Sequence, residues 1–137
     1  MIRRMHDITP VGVDMSYIKE QWVRIVVPGA PVPKARARVG KHGAYTPTKT
    51  KKQEKCIQQY ALLAMRTERV KKMDGIVAVD IEIIQKKRRG DLDNFAKTVL
   101  DAMNQVVYTD DSVVDDLRVW REISDDEKTI ITVSESI

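Results

Sequence analysis

Residues 76–105 read IVAVDIEIIQKKRRGDLDNFAKTVLDAMNQ, and this stretch decides the fold. Over Ile76 to Ile84, Val77, Val79, Ile81 and Ile83 fall on one side of an extended chain, with Asp80 and Glu82 on the other. That is the alternation of a half-buried strand. Gln85 to Gly90 follows as a basic loop. From Asp91 to Gln105 the period changes, and Leu92, Phe95, Ala96, Val99, Leu100 and Met103 fall within an arc of about 140° at helical spacing. These form the core face of a helix. Asp93, Asn94, Lys97, Thr98, Asp101 and Asn104 take the opposite side, where Lys97 lies one turn from both Asp93 and Asp101.

Working outward from this unit, Thr48 to Arg69 contains no Gly or Pro and repeats Ile57, Tyr60, Ala61 and Ala64 on one helical face. Trp22 to Val27 is apolar and β-branched, ends at Pro28-Gly29, and predicts a first strand. Pro31 to Thr46 fits a loop or small hairpin, and Val113–Ile123 and Thr129–Val133 predict two further strands. The order β, hairpin, α, β, α, β, β predicts an α/β (α+β) fold: a small mixed sheet of three or four main strands with two helices packed on one face. Residues 1–20 carry Pro10, Gly12 and scattered charges without a period, and read as an N-terminal extension expected to be partly disordered. Residues 21–137 are then one domain with one site, since 137 residues support a single core.

Hydrophobic residues make up 42% and charged residues 32%, which is a globular rather than a disordered balance. No apolar run approaches the roughly 20 residues of a membrane span, and Met1 to Asp7 supplies only the basic start of a signal peptide. A cytoplasmic protein with no membrane partner is expected. The single Cys56 and two His exclude an internal disulfide and a four-ligand His/Cys zinc site. Any metal must be held mainly by oxygen.

The net charge is +4, with basic residues gathered in Lys34–Arg38, Lys49–Lys55, Arg66–Lys72 and Lys86–Arg89. This suits a polyanion, and Lys34, Arg36, Arg38, Lys86, Lys87, Arg88 and Arg89 are the candidate DNA contacts. Directly after the last basic run, Asp91 to Asp116 holds seven Asp and no Glu. Carboxylates beside phosphate contacts repel a nucleic acid unless divalent cations sit between them. Each acidic residue also has a structural reading. Asp91 can cap the helix, Asp93 and Lys97 can form an ordinary exposed pair, and Asp110-Asp111 can make a turn. Gathering them into one site requires the chain after the helix to return toward its start, which periodicity does not establish.

Arg88-Arg-Gly-Asp-Leu-Asp-Asn-Phe-Ala-Lys97, then Leu100-Asp-Ala-Met103 and Tyr108-Thr-Asp-Asp-Ser-Val-Val114, resembles the signature of RusA-type Holliday-junction resolvases. Pro31-Val-Pro-Lys34 and Gly43-Ala-Tyr-Thr-Pro47 resemble the opening of phage-associated members. The resemblance runs from about residue 22 to the C-terminus. It implies that Asp91, Asp93 and Asp111 are essential metal-binding carboxylates, with Asp110 supporting them and Lys97 needed for cleavage. It further implies a homodimer using Mg²⁺, which Mn²⁺ can replace, to make paired nicks across a four-way DNA junction during recombination and repair. Gly90, immediately before Asp91, departs from the family pattern by interrupting the basic loop, and residues 1–20 lie outside it. Two other readings use the same residues: a non-catalytic DNA-binding protein, and a magnesium-dependent phosphohydrolase acting on nucleotides.

Overall fold

The computed structural model describes residues 21–35, 38–41, 43–45 and 47–136. The extension over residues 1–20 and the candidate contact Arg36 lie outside the described residues. Strand β1 (Gln21–Pro28) turns Val23, Ile25 and Val27 inward and leaves the residues between them toward solvent. A two-stranded hairpin, β2 (Arg38–Gly40) and β3 (Gly43–Tyr45), precedes helix α1 (Thr48–Glu68). Strand β4 (Ile76–Gln85), helix α2 (Leu92–Met103), and strands β5 (Val114–Ile123) and β6 (Lys128–Ser136) complete the order.

The main sheet runs β1-β6-β4-β5, antiparallel except for the parallel pair β4 and β5. This is the mixed sheet with two helices expected from the patterning. Its register places Val23, Val133 and Val79 in one row, and Ile25, Ile131, Ile81 and Val119 in the next. Ile57, Ala61 and Met65 of α1 and Phe95, Val99 and Met103 of α2 join these residues in one buried cluster. β6 is longer than its apolar alternation suggests, because Ser134 and Glu135 still pair with strands on both sides. The buried Glu135 carboxylate accepts hydrogen bonds from the Gln21 side chain and from the Asp74 and Gly75 amides, which satisfies its oxygens at the sheet end.

β4, α2 and β5 form a crossover between adjacent parallel strands, the connection such a pair requires. α2 buries Phe95, Ala96, Val99 and Met103 as expected, but also Thr98, which the helical period places on the polar side. Packing of α1 against α2 widens the covered face, and the Thr98 hydroxyl donates to the Asn94 carbonyl one turn back. α2 stops two residues before the expected Gln105, where Asn104 leaves the helical conformation and Gln105 turns left-handed at φ 65°. The chain then doubles back. The Gln105 amide donates to the Tyr108 carbonyl at 2.8 Å, and the fully buried Tyr108 hydroxyl donates to the Leu100 carbonyl at 2.8 Å. Met73 holds the returning segment from the other side through its amide to Val107 and its carbonyl from Thr109. Among the described residues, no helix is long and apolar enough to cross a membrane.

Candidate functional site

The returning segment delivers Asp110 and Asp111 to the start of β5, beside the face of α2 that the core does not use. Asp93, Lys97, Asp101 and Asp111 line one open cleft of about 430 Å³, walled on its apolar side by Ala96, Leu100, Leu117 and Val119. The α2 residues recur at helical spacing, so Asp93, Lys97 and Asp101 share a stripe on one element. Asp111 comes from the short 3₁₀ turn Asp111–Val113 that leads into β5. The return that periodicity left open therefore does occur, and it brings Asp111 to Asp93 and Lys97.

The other two candidate ligands stand at the ends of this arrangement. Asp91 occupies the N-cap position of α2, yet its side chain makes no capping hydrogen bond. Its carbonyl accepts from the Asn94 and Phe95 amides, so backbone alone starts the helix. Asp110 behaves as the turn reading requires: its carboxylate accepts the Ser112 amide at 3.1 Å. The hydrogen bonds to Ser112 hold its pKa below the ordinary carboxylate value. Neither Asp91 nor Asp110 is among the residues lining the cleft.

Asp101 is the cleft residue that sequence reasoning missed. Its spacing from Lys97 was visible, but nothing in the periodicity distinguished it from an exposed helix carboxylate. Lys34, a candidate phosphate contact, reaches across to it at 3.2 Å and to Glu54 of α1 at 2.7 Å. Burial works to lower the Lys34 pKa, and its hydrogen bonds to Glu54 and Asp101 outweigh that, leaving it above its ordinary value. The ammonium thus stays charged as a bridge between the two helices. Burial pushes the Tyr108 hydroxyl well above its ordinary value, and the charges of Asp111, Asp101 and Asp110 push it further. Three carboxylates from two elements therefore act on one point of the fold.

The remaining candidate contacts form a loop directly ahead of α2. Lys86, Lys87, Arg88 and Arg89 are all exposed. Arg89 lies 3.5 Å from Glu127, a distance and exposure at which the pair adds little stability. Arg38 begins β2, which places it in the hairpin beyond Lys34.

Among the described residues, no three Asp, Glu, His or Cys side chains come together closely enough to hold a metal ion. A cage of that kind is what zinc or calcium requires. Mg²⁺ commonly binds through one or two carboxylates, keeps several waters and takes the rest of its ligands from substrate phosphate. Carboxylates facing an open cleft fit that donor chemistry.

A search of curated proteins returns no match to this chain. The family model described as Endodeoxyribonuclease RusA matches residues 28–134, which takes in β1's last residue, both helices, the whole cleft and nearly all of β6. An acidic cleft on a βαβ crossover, with an exposed basic loop directly before its helix, is accordingly carried on a chain that belongs to the RusA endodeoxyribonuclease family.

Proposed function

We propose that this protein is a Mg²⁺-dependent endodeoxyribonuclease that acts in the cytoplasm as a homodimer and resolves four-way DNA junctions by paired, symmetric nicks. The observation that carries this reading is the shared cleft of Asp93, Lys97, Asp101 and Asp111 beside the exposed cations of the loop Lys86–Arg89. A basic surface alone suits a DNA-binding protein. Carboxylates placed where the phosphate would arrive suit one that hydrolyses it.

Asp93 and Asp111 would hold the ion, with Asp91 contributing from the helix start. Bound there, Mg²⁺ would supply Lewis-acid charge for the scissile phosphate and an activated water. The chain's own residues do the rest. Lys97, on the same stripe as Asp93, neutralises charge developing on the non-bridging oxygens or orients the attacking water. Asp110 fixes the turn that presents Asp111. Lys86, Lys87, Arg88 and Arg89 hold the flanking backbone by phosphate contacts that position rather than specify, and the candidate contacts Arg36 and Arg38 would add to them. Lys34 serves as the counter-ion of Asp101.

A gel assay comparing a four-way junction with a linear duplex of matching sequence, with and without Mg²⁺, tests the reading. Symmetric nicks in the junction only when metal is present are expected. Tight binding without cleavage in Mg²⁺ or Mn²⁺ would contradict it in favour of a non-catalytic binding protein. Hydrolysis of free nucleotides with the DNA left intact would contradict it in favour of a phosphohydrolase.

A further inference from the structure

We propose that Arg121 and Gln85 are positioning residues that lock the basic loop to the sheet and so fix Asp91 where it can reach a cation. The inference rests on the reading of Asp91 as a metal ligand, but the geometry behind it is separate. Gln85 ends β4 and has no exposed surface, so its amide must find partners inside the protein. Its Oε1 accepts from Arg121 Nε at 2.7 Å and its Nε2 donates to the Arg89 carbonyl at 3.1 Å. Arg121, on the neighbouring strand β5, also donates from Nη2 to the carbonyls of Arg89 at 3.3 Å and Gly90 at 2.5 Å. Among the described residues, this guanidinium makes no ion pair with a carboxylate. Its Nη2 serves the two carbonyls immediately ahead of Asp91 while its Nε is held by Gln85.

Gly90 completes the lock. Its φ is +75°, and a Cβ there would lie 2.9 Å from the ring of the buried Phe95. The backbone is thus pressed between the Arg121 guanidinium and Phe95, at a position where a side chain would be both strained and crowded. This accounts for the glycine that interrupts the basic run. With the carbonyls of residues 89 and 90 drawn inward, the four cationic side chains of the loop face solvent. Asp91, extended at φ −96° and ψ 140°, enters α2 with its carboxylate unused by the helix. At the loop's other end, the Gln85 carbonyl accepts the Ser124 amide and Glu127 accepts the Lys86 amide.

Residues that orient a metal ligand without touching the metal typically change affinity by about 10–100-fold when removed. The test uses the full chain as wild type, Arg121→Gln, Arg121→Lys, Asp91→Asn and the double variant Asp91→Asn/Arg121→Gln. Amide hydrogen exchange in EDTA reads the lock directly. Exchange across residues 86–91 should quicken in Arg121→Gln while β6 stays protected, and unchanged loop exchange would overturn the proposal. Titration with Mn²⁺ alone reads its purpose. Arg121→Gln should bind about 10-fold more weakly than wild type, with Arg121→Lys between them because it retains one donor group. Since Arg121 acts through Asp91, the double variant should bind no more weakly than Asp91→Asn. Equal affinities of wild type and Arg121→Gln, or an additive double variant, would overturn the positioning role. A wild type that binds no Mn²⁺ would instead overturn the metal reading of the cleft and this role with it.

Discussion

Asp91 and Asp110 both precede a helical turn, and they use their carboxylates differently: Asp110 accepts the Ser112 amide, whereas Asp91 makes no capping bond. Sequence alone offered a cap for Asp91 and a turn for Asp110, and only the turn uses its carboxylate as that reading requires. Ahead of Asp91, Arg121, Gln85 and Gly90 hold the backbone by contacts that do not involve its side chain. Such partners lie 36 and 31 residues apart in the chain and leave no local periodic signal. At this scale two substitutions separate catalysis from binding. Asp93→Asn should abolish junction cleavage and leave junction binding intact or slightly tighter, since it removes a ligand and a negative charge facing phosphate. Cleavage at near wild-type rate in the gel assay would take Asp93 out of the site. Lys97→Ala should also lose most cleavage, yet weaken binding and lower the slope of log affinity against log salt by about one unit. Filter binding across a salt series measures this, and equal slopes would remove the phosphate contact.

The strands and helices themselves were legible, with every expected element present and most boundaries within two residues, most plainly in β4, α1 and α2, which carry a clean period of two or 3.6. The turn after α2 was not. Its return depends on Gln105 adopting a left-handed conformation and on Tyr108 reaching the Leu100 carbonyl, neither of which a polar or aromatic residue announces in sequence. α1 ends in a comparable way, with the exposed Arg69 at φ 58° and its amide bonded back to Arg66. There a glycine is the less strained residue. Arg69→Gly should therefore stabilise the protein by up to about 1 kcal/mol, raising the melting temperature by a few degrees. A lowered melting temperature in a calorimetric scan would show that the Arg69 side chain contributes more than its backbone strain costs.

For the whole molecule, the proposed junction substrate has approximate two-fold symmetry, so one acidic cleft in each chain would call for a symmetric dimer in which each subunit nicks one strand. Mixed dimers of wild type and Asp93→Asn should nick a single strand of each junction and fail to cut both efficiently; a protein that is monomeric both free and on the junction would rule this out. On the proposed reading, the β4–α2–β5 crossover delivers Asp93 and Asp111 to one divalent cation. Two carboxylates close enough to share a cation would repel each other without it, with Lys97 in the same cleft as the counter-charge. A cation bound to the folded state alone, at about 100 times its dissociation constant, adds roughly 2.7 kcal/mol, several degrees for a domain of this size. The most direct measurement is a thermal scan of wild type and Asp111→Asn in EDTA and in excess Mg²⁺ at constant ionic strength. Asp111→Asn should be at least as stable as wild type in EDTA and gain clearly less from Mg²⁺. Equal gains for the two proteins, or no gain in wild type at saturating Mg²⁺, would contradict it.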